Sequence, residues 1–281
     1  MIVNCNLNQL WINKDVIINM CEYMDDRNKL SLLSVNRQVN LIKNKILYDG
    51  NVCITKIQDL WYLDQITNIH IGENFKPLTY QFPKNIVQIV YNARSICHLI
   101  KYYIPSNITH LTFADLFNSC IKDCIPPSVT HLTFGKYFDQ PIENYIPQSV
   151  THLTFGEKFN QNITNCIPNV THLTFGEYFN KHIKGHIPTN VTHLTFGDHF
   201  NKPIKGHIPL SVTHLVFGNS FNLSIKNCIP SSVIYLVFGN EFNQAIKNYI
   251  PSSVKYLSFG KSFNQPRSDI PSSVIYLEFN K

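Results

Sequence analysis

No apolar run in this chain approaches the ~20 residues a membrane-spanning helix needs, so a helical membrane protein is excluded and no membrane partner is expected. The opening Met1-Ile2-Val3-Asn4-Cys5-Asn6 lacks a basic segment followed by an apolar one, and no secretory leader is expected. Catalytic signatures are missing too. There is no nucleophile spaced from a base, no Gly-rich phosphate loop, no His-Glu-x-x-His and no paired Cys-x-x-Cys, so neither an enzyme nor a cofactor is expected. The net charge of +6 comes from Lys and Arg scattered along the chain. A phosphate-binding groove needs cations gathered in one place, which argues against nucleic acid. Eight cysteines would suit a disulfide framework, but Cys124, Cys166 and Cys228 share one slot with Tyr145, His186 and Tyr249. A reduced, intracellular setting, the cytoplasm, is expected.

What fills the chain is a motif returning about every 21 residues. One copy reads Ile146-Pro147-Gln148-Ser149-Val150-Thr151-His152-Leu153-Thr154-Phe155-Gly156-Glu157-Lys158-Phe159-Asn160-Gln161-Asn162-Ile163, and the Ile-Pro pair recurs at 104, 125, 146, 167, 187, 208, 229, 250 and 270. A fixed period of this length predicts a solenoid. It is too short for a helix pair but accommodates one strand, a turn and an irregular return. The strand is Val-Thr-His-Leu-Thr-Phe: in Val150–Phe155 alternation sends Leu153 and Phe155 inward, His152 and Thr154 outward. Glycine ends it at Gly72, Gly135, Gly156, Gly176, Gly197, Gly218, Gly239 and Gly260, where the backbone must either take a positive φ or pass close to its neighbour.

Phe117, Phe138, Phe159, Phe179, Phe200, Phe221, Phe242 and Phe263 are predicted to stack as a core spine, backed by Ile125, Ile146, Ile167, Ile142, Ile163 and Ile183. The Asn following most of these Phe residues, with Asp139 the one acid, is read as bonding backbone that an irregular return leaves unpaired. His110, His131, His152, His172, His193 and His214 form a ladder that Tyr235, Tyr256 and Tyr276 continue. Metal is a conceivable ligand of stacked imidazoles, but a row built by repetition has no closed ligand set, so no metal is assigned. Side-by-side imidazoles should have lowered pKa values through mutual repulsion.

Phe-Asn, two residues, Ile, three residues, Ile-Pro resembles the FNIP repeat, a leucine-rich-repeat relative known from social amoebae and giant DNA viruses. The resemblance is clean from about Ile104 to Lys281. It continues backwards through Ile66–Gly72 with Phe75 and through Phe82–Tyr91, and implies a β-rich solenoid with a parallel sheet of about eleven short strands. Residues 1–50 break the period. Apolar positions around Val16–Met24, Leu30–Leu33 and Val39–Ile46 have helical spacing, and the three-helix pattern resembles an F-box, though Ile12-Asn13 stands where Leu-Pro usually opens that motif and Lys29 where Leu is common. That resemblance implies docking on a Skp1-like subunit of a cullin-RING ubiquitin ligase through Met20, Tyr23, Met24, Leu30, Leu33 and Val35. A plain helical cap on the first strand would need the same apolar faces. Residues 51–103 are then a transition of degenerate repeats and 104–281 the solenoid proper.

The reading that follows is an adaptor, recruiting a protein of unidentified nature for ubiquitin transfer, in the host cytoplasm if the chain is viral; the alternative is a non-degradative scaffold with a mere cap. The partner-binding face is expected to be the outward strand positions His131, Thr133, His152, Thr154, His172, His193, His214, Tyr235, Tyr256 and Tyr276, the tyrosine end contributing most. The last rung, around Leu257, Phe259, Leu277 and Phe279, is expected to expose apolar edge that allows self-association, with Pro266 as a partial plug.

Overall fold

The computed structural model describes residues 52–53, 68–71, 86–91, 104–164 and 166–280. The predicted F-box-like head, with Met20, Tyr23, Met24, Leu30, Leu33 and Val35, lies outside the described residues. The chain divides into two compact units, Met1–Val90 and Tyr91–Lys281. In the first, β1 (Val52–Cys53) pairs in parallel with β2 (Asn68–Ile71), and Ile69, Ile71, Ile86 and Ile89 are buried. β3 (Gln88–Tyr91) ends at the boundary.

The second unit is a parallel β-solenoid of nine turns. Each turn contributes one strand: β4 (His110–Phe113), β5 (His131–Phe134), β6 (His152–Thr154), β7 (His172–Thr174), β8 (His193–Thr195), β9 (His214–Val216), β10 (Tyr235–Val237), β11 (Tyr256–Phe259) and β12 (Tyr276–Phe279). They lie in sequence order with equivalent residues in register, so that His152 faces His172 and Leu153 faces Leu173. Among the described residues there is no α-helix, only a 3₁₀ turn at Arg267–Asp269.

The strands start two residues later than the sequence pattern predicts. Val150 N–H donates back to Pro147 C=O, closing a local turn, and Thr151 N–H and His152 N–H share the Thr130 carbonyl. Val150 is nonetheless fully buried, so its apolar character serves the core and not the ladder. Inside, two phenylalanines per turn stack on one another, as in Phe155 on Phe159 at 3.9 Å, and on their copies above and below. Both predicted isoleucine slots are buried beside them. Each turn leaves its apolar faces to its neighbours, so the stack is stable only as an array.

The terminal glycines follow the second of the two predicted reasons. None of Gly135, Gly156, Gly176, Gly197, Gly218, Gly239 or Gly260 has a positive φ; instead, a Cβ on Gly156 would sit 1.8 Å from the carbonyl oxygen of Gly135. The left-handed backbone occurs elsewhere, in the return, at Asp123, Glu143, Gly185, Gly206, Asn227 and Asn248; all but Glu143, whose φ is 28°, are residue types that tolerate it. The Asn slot behaves as expected. Oδ1 of Asn118, Asp139, Asn160, Asn180, Asn201, Asn222 and Asn243 each accepts the N–H of its successor one turn on, at 2.8–3.2 Å. An acid substitutes at Asp139 because only an acceptor is required.

Two expectations fail. Leu257 and Phe259 are fully buried beneath β12, so at this end of the stack the exposed large apolar residues are Ile275, Tyr276 and Leu277 of the last turn. Arg267 lies against this turn, its guanidinium 4.8 Å from the Phe279 ring. Cys124 is disulfide-bonded, whereas Cys120, Cys166 and Cys228 are free thiols. Repetition describes a slot and cannot exclude a pairing that one member of it makes.

Candidate functional site

The strand pleat gives every turn two outward side chains, and register aligns them in two columns. The first runs His110, His131, His152, His172, His193, His214, Tyr235, Tyr256, Tyr276, and the second Thr112, Thr133, Thr154, Thr174, Thr195, Val216, Val237, Ser258, Glu278. All ten residues expected to contact a partner fall on this one face. The histidine rings stack at 4.1–4.2 Å with interplanar angles of 12–13°. The step from His214 to Tyr235 opens to 5.5 Å, and Tyr235 and Tyr256 close again to 4.3 Å.

Ring spacing shows which way the stack bends. Identical turns related by pure translation would separate every equivalent pair equally. Here the spacing is 4.1–4.2 Å for His on the sheet face. It is 5.4–5.8 Å for the strand phenylalanines Phe113 to Phe259 and 6.0–6.3 Å for the return phenylalanines Phe117 to Phe263. The turns therefore fan outward from the sheet, whose face is the concave side of this unit.

A third column fixes the imidazoles. Thr109, Thr130, Thr151, Thr171, Thr192 and Thr213 each place Oγ1 2.8–3.0 Å from Nδ1 of the following His. From Thr130 onward the same hydroxyl also lies 3.1–3.3 Å from the preceding Thr carbonyl. The hydroxyl donates to that carbonyl when the ring carries its proton on Nδ1, and to Nδ1 when the ring proton is on Nε2. The outer edge of the ladder is then a row of Nε2 atoms, every one an N–H donor once its ring is protonated. The pKa values of His131, His152 and His193 are lowered as expected, but burial is the leading cause and repulsion from neighbouring imidazoles the second. Metal has no support from this geometry, since parallel stacked rings aim their nitrogen lone pairs in parallel and not at one point.

The far end of the face changes character. Tyr256 donates its hydroxyl to the Glu278 carboxylate, which drives the phenol well above the ordinary tyrosine range. Val216, Val237, exposed Ile234 and exposed Tyr276 replace the threonines and histidines. A second feature went unread in the sequence. Past the strand-ending glycines, Glu157 accepts from Lys136 at 2.8 Å and Lys158 at 3.0 Å, Lys158 lies 3.8 Å over Tyr178, and Tyr178 stacks on His199. These contacts lower the Glu157 pKa and raise those of both lysines. Opposite charges in adjacent copies of one slot were its only signal.

Seven segments match the FNIP Repeat family model, the first six overlapping: 98–137, 117–158, 138–178, 159–199, 179–220, 200–241 and 242–281. Among solved structures, the chain is similar to one described as the crystal structure of CroV588, a novel circular LRR protein structure. The match has 38% sequence identity and a TM-score of 0.70, and covers 82% of this chain but 35% of that one. The chain thus spans about a third of the length of that relative. No curated protein matches.

Proposed function

From the premise that the chain belongs to the FNIP repeat family, we propose that it is a protein-interaction adaptor that holds a protein partner on the concave strand face of β4–β12. The observation that carries this is the alignment of outward residues into columns, an extended surface without a closed pocket chemistry, as repeat scaffolds use. Affinity concentrates at the tyrosine end, where large amphipathic rings replace imidazoles. Replacing Tyr235, Tyr256 and Tyr276 by Ser should weaken partner capture by about tenfold or more, and more than the same change at His131, His152 and His172. The reverse ranking would refute the assignment.

The finer reading is a substrate-recruiting subunit of a Skp1–cullin–F-box ubiquitin ligase in the cytoplasm. It rests on the F-box-like pattern of residues 1–50. Capture of the full chain from amoebal lysate should bring a Skp1-like protein and a cullin. Met20→Asp with Leu33→Asp should abolish that capture while the β-sheet circular dichroism of the solenoid persists. If both are lost together, the head is a cap and the protein a non-degradative scaffold.

A further inference from the structure

We propose that the imidazole row of β4–β9 is a proton-gated binding strip for an extended, carboxylate-rich peptide segment. The inference rests on the reading that partners sit on the strand face, and assigns its polar half a ligand class of its own. Three properties of the row carry it.

First, the ring faces cover one another at 4.1–4.2 Å, so only the edges, each with Nε2, meet a ligand. Stacked bases, the usual handle on single-stranded nucleic acid, find no free ring face here, whereas carboxylates accept from edge N–H donors. Five ring intervals of 4.1–4.2 Å span about 20 Å, the length of about six extended residues. The neighbouring outward column, Thr112, Thr133, Thr154, Thr174 and Thr195, adds hydroxyls for the peptide backbone.

Second, the threonines let the row take up protons without losing bonds. When a ring is protonated, Nδ1–H donates to Thr Oγ1, and from Thr130 onward the hydroxyl turns its own proton to the preceding Thr carbonyl, 3.1–3.3 Å away. Both charge states are hydrogen-bonded in one geometry.

Third, nothing else on this stretch of the face is charged. From β4 to β9 the outward columns hold His, Thr and Val216, and the flanking column holds Thr from Thr109 to Thr213. Charged groups flank the row past the strand ends, at Asp115, Lys136, Glu157, Lys158, Glu177 and Asp198, with Glu157 paired to both lysines, and lie beyond it at Lys255 in the flanking column of β11 and at Glu278 on β12, already engaged by Tyr256. With no fixed charge inside these columns, and with cations and acids both present along their border, attraction for an acidic segment grows as the imidazoles charge. A bound row of carboxylates also relieves their mutual repulsion, so proton uptake and peptide binding reinforce each other.

The test is fluorescence anisotropy of a dye-labelled polyaspartate peptide against the full chain at about pH 7.5 and about pH 5, a range over which Asp stays ionised and His does not stay neutral. Binding should tighten by about tenfold or more on acidification. His131→Gln, His152→Gln and His172→Gln together should remove that gain, while His182→Gln, His199→Gln and His207→Gln, off the face, should keep it. If the ladder variant misfolds, imidazole NMR on the unaltered chain decides: saturating peptide should move the ladder titrations to higher pH and leave the other histidines in place. The proposal is overturned by equal affinity at the two pH values, by loss of the gain in the off-face variant, by unmoved ladder titrations, or by an oligonucleotide binding as tightly as the peptide at acidic pH. Because the probe is synthetic, these failures are separable from failure to capture a native partner at the tyrosine end.

Discussion

Gly197→Ala should be far more damaging than Gly185→Ala, although Gly185 is the glycine with the unusual backbone. At Gly197 a new Cβ would stand 1.9 Å from the Gly176 oxygen, 2.4 Å from its carbonyl carbon and 2.8 Å from Glu177 Cα, all main-chain atoms of the turn below. Neither side can swing away, so the two turns must part by roughly 1 Å to reach a tolerable contact. That stretches the bond from His199 N–H to Glu177 C=O, now 2.8 Å, and the one from Asn201 N–H to Asn180 Oδ1, now 3.0 Å, beyond useful range. Overpacking costs about 1–3 kcal/mol, and two weakened hydrogen bonds about 1 kcal/mol each, for a total of about 3–5 kcal/mol. Gly185 has φ +70° with no atom within 4 Å of its would-be Cβ, so Ala there pays only the left-handed penalty of about 1–2 kcal/mol. Gly185→Asn should cost less still, since Asn227 and Asn248 hold φ of 57° and 63°. Urea unfolding followed by circular dichroism gives the ranking, and amide exchange at His199 and Asn201 locates the damage even if the array unfolds in stages. A Gly197→Ala protein as stable as its parent, or more stable than Gly185→Ala, would refute the close-approach argument.

Asn180→Ala removes the acceptor of the Asn201 N–H and should cost about 1–2 kcal/mol, with faster exchange of that amide, whereas Asn180→Asp should restore protection because Asp139 already serves in that slot. The lowered pKa values of His131, His152 and His193 mean that the unfolded chain binds protons first as pH falls below about 6.5. Stability is therefore full above that pH and declines through the window beneath it, and a urea midpoint that drops between about pH 7.5 and pH 5, less so in the triple Gln variant, checks the sign. Ultraviolet titration should find Tyr256 among the last tyrosines to ionise, and Glu278→Gln should return it toward the ordinary range.

Much of this fold can be read directly from the sequence, because a repeat states the same turn nine times. Alternation in His-Leu-Thr-Phe located the strands, the Phe and Ile slots located the core, and the Asn slot was recognisable because only an acceptor makes sense between two buried positions. Strand starts were misplaced because a buried valine looks alike in a ladder and in the turn leading to it. The glycines stood for two physical reasons that composition does not separate, and coordinates chose the contact over the dihedral. The left-handed positions were written in plain sight as Asp123, Glu143, Gly185, Gly206, Asn227 and Asn248, but their mixture of residue types hid a shared backbone requirement.

Curvature was beyond reach for a different reason. It lies in no residue, but in the difference between ring spacings on the two sides of a turn, 4.1–4.2 Å at the ladder against 6.0–6.3 Å at the return phenylalanines. Bulky rings on the return and flat, closely stackable rings on the sheet would drive any such array to fan in this sense. The flat rings that close the inner side are thus also the surface a partner meets. Substituting the ladder changes recognition and bend together, which is why the peptide-binding test pairs its ladder variant with one that leaves the concave face untouched and with a measurement on the unaltered chain.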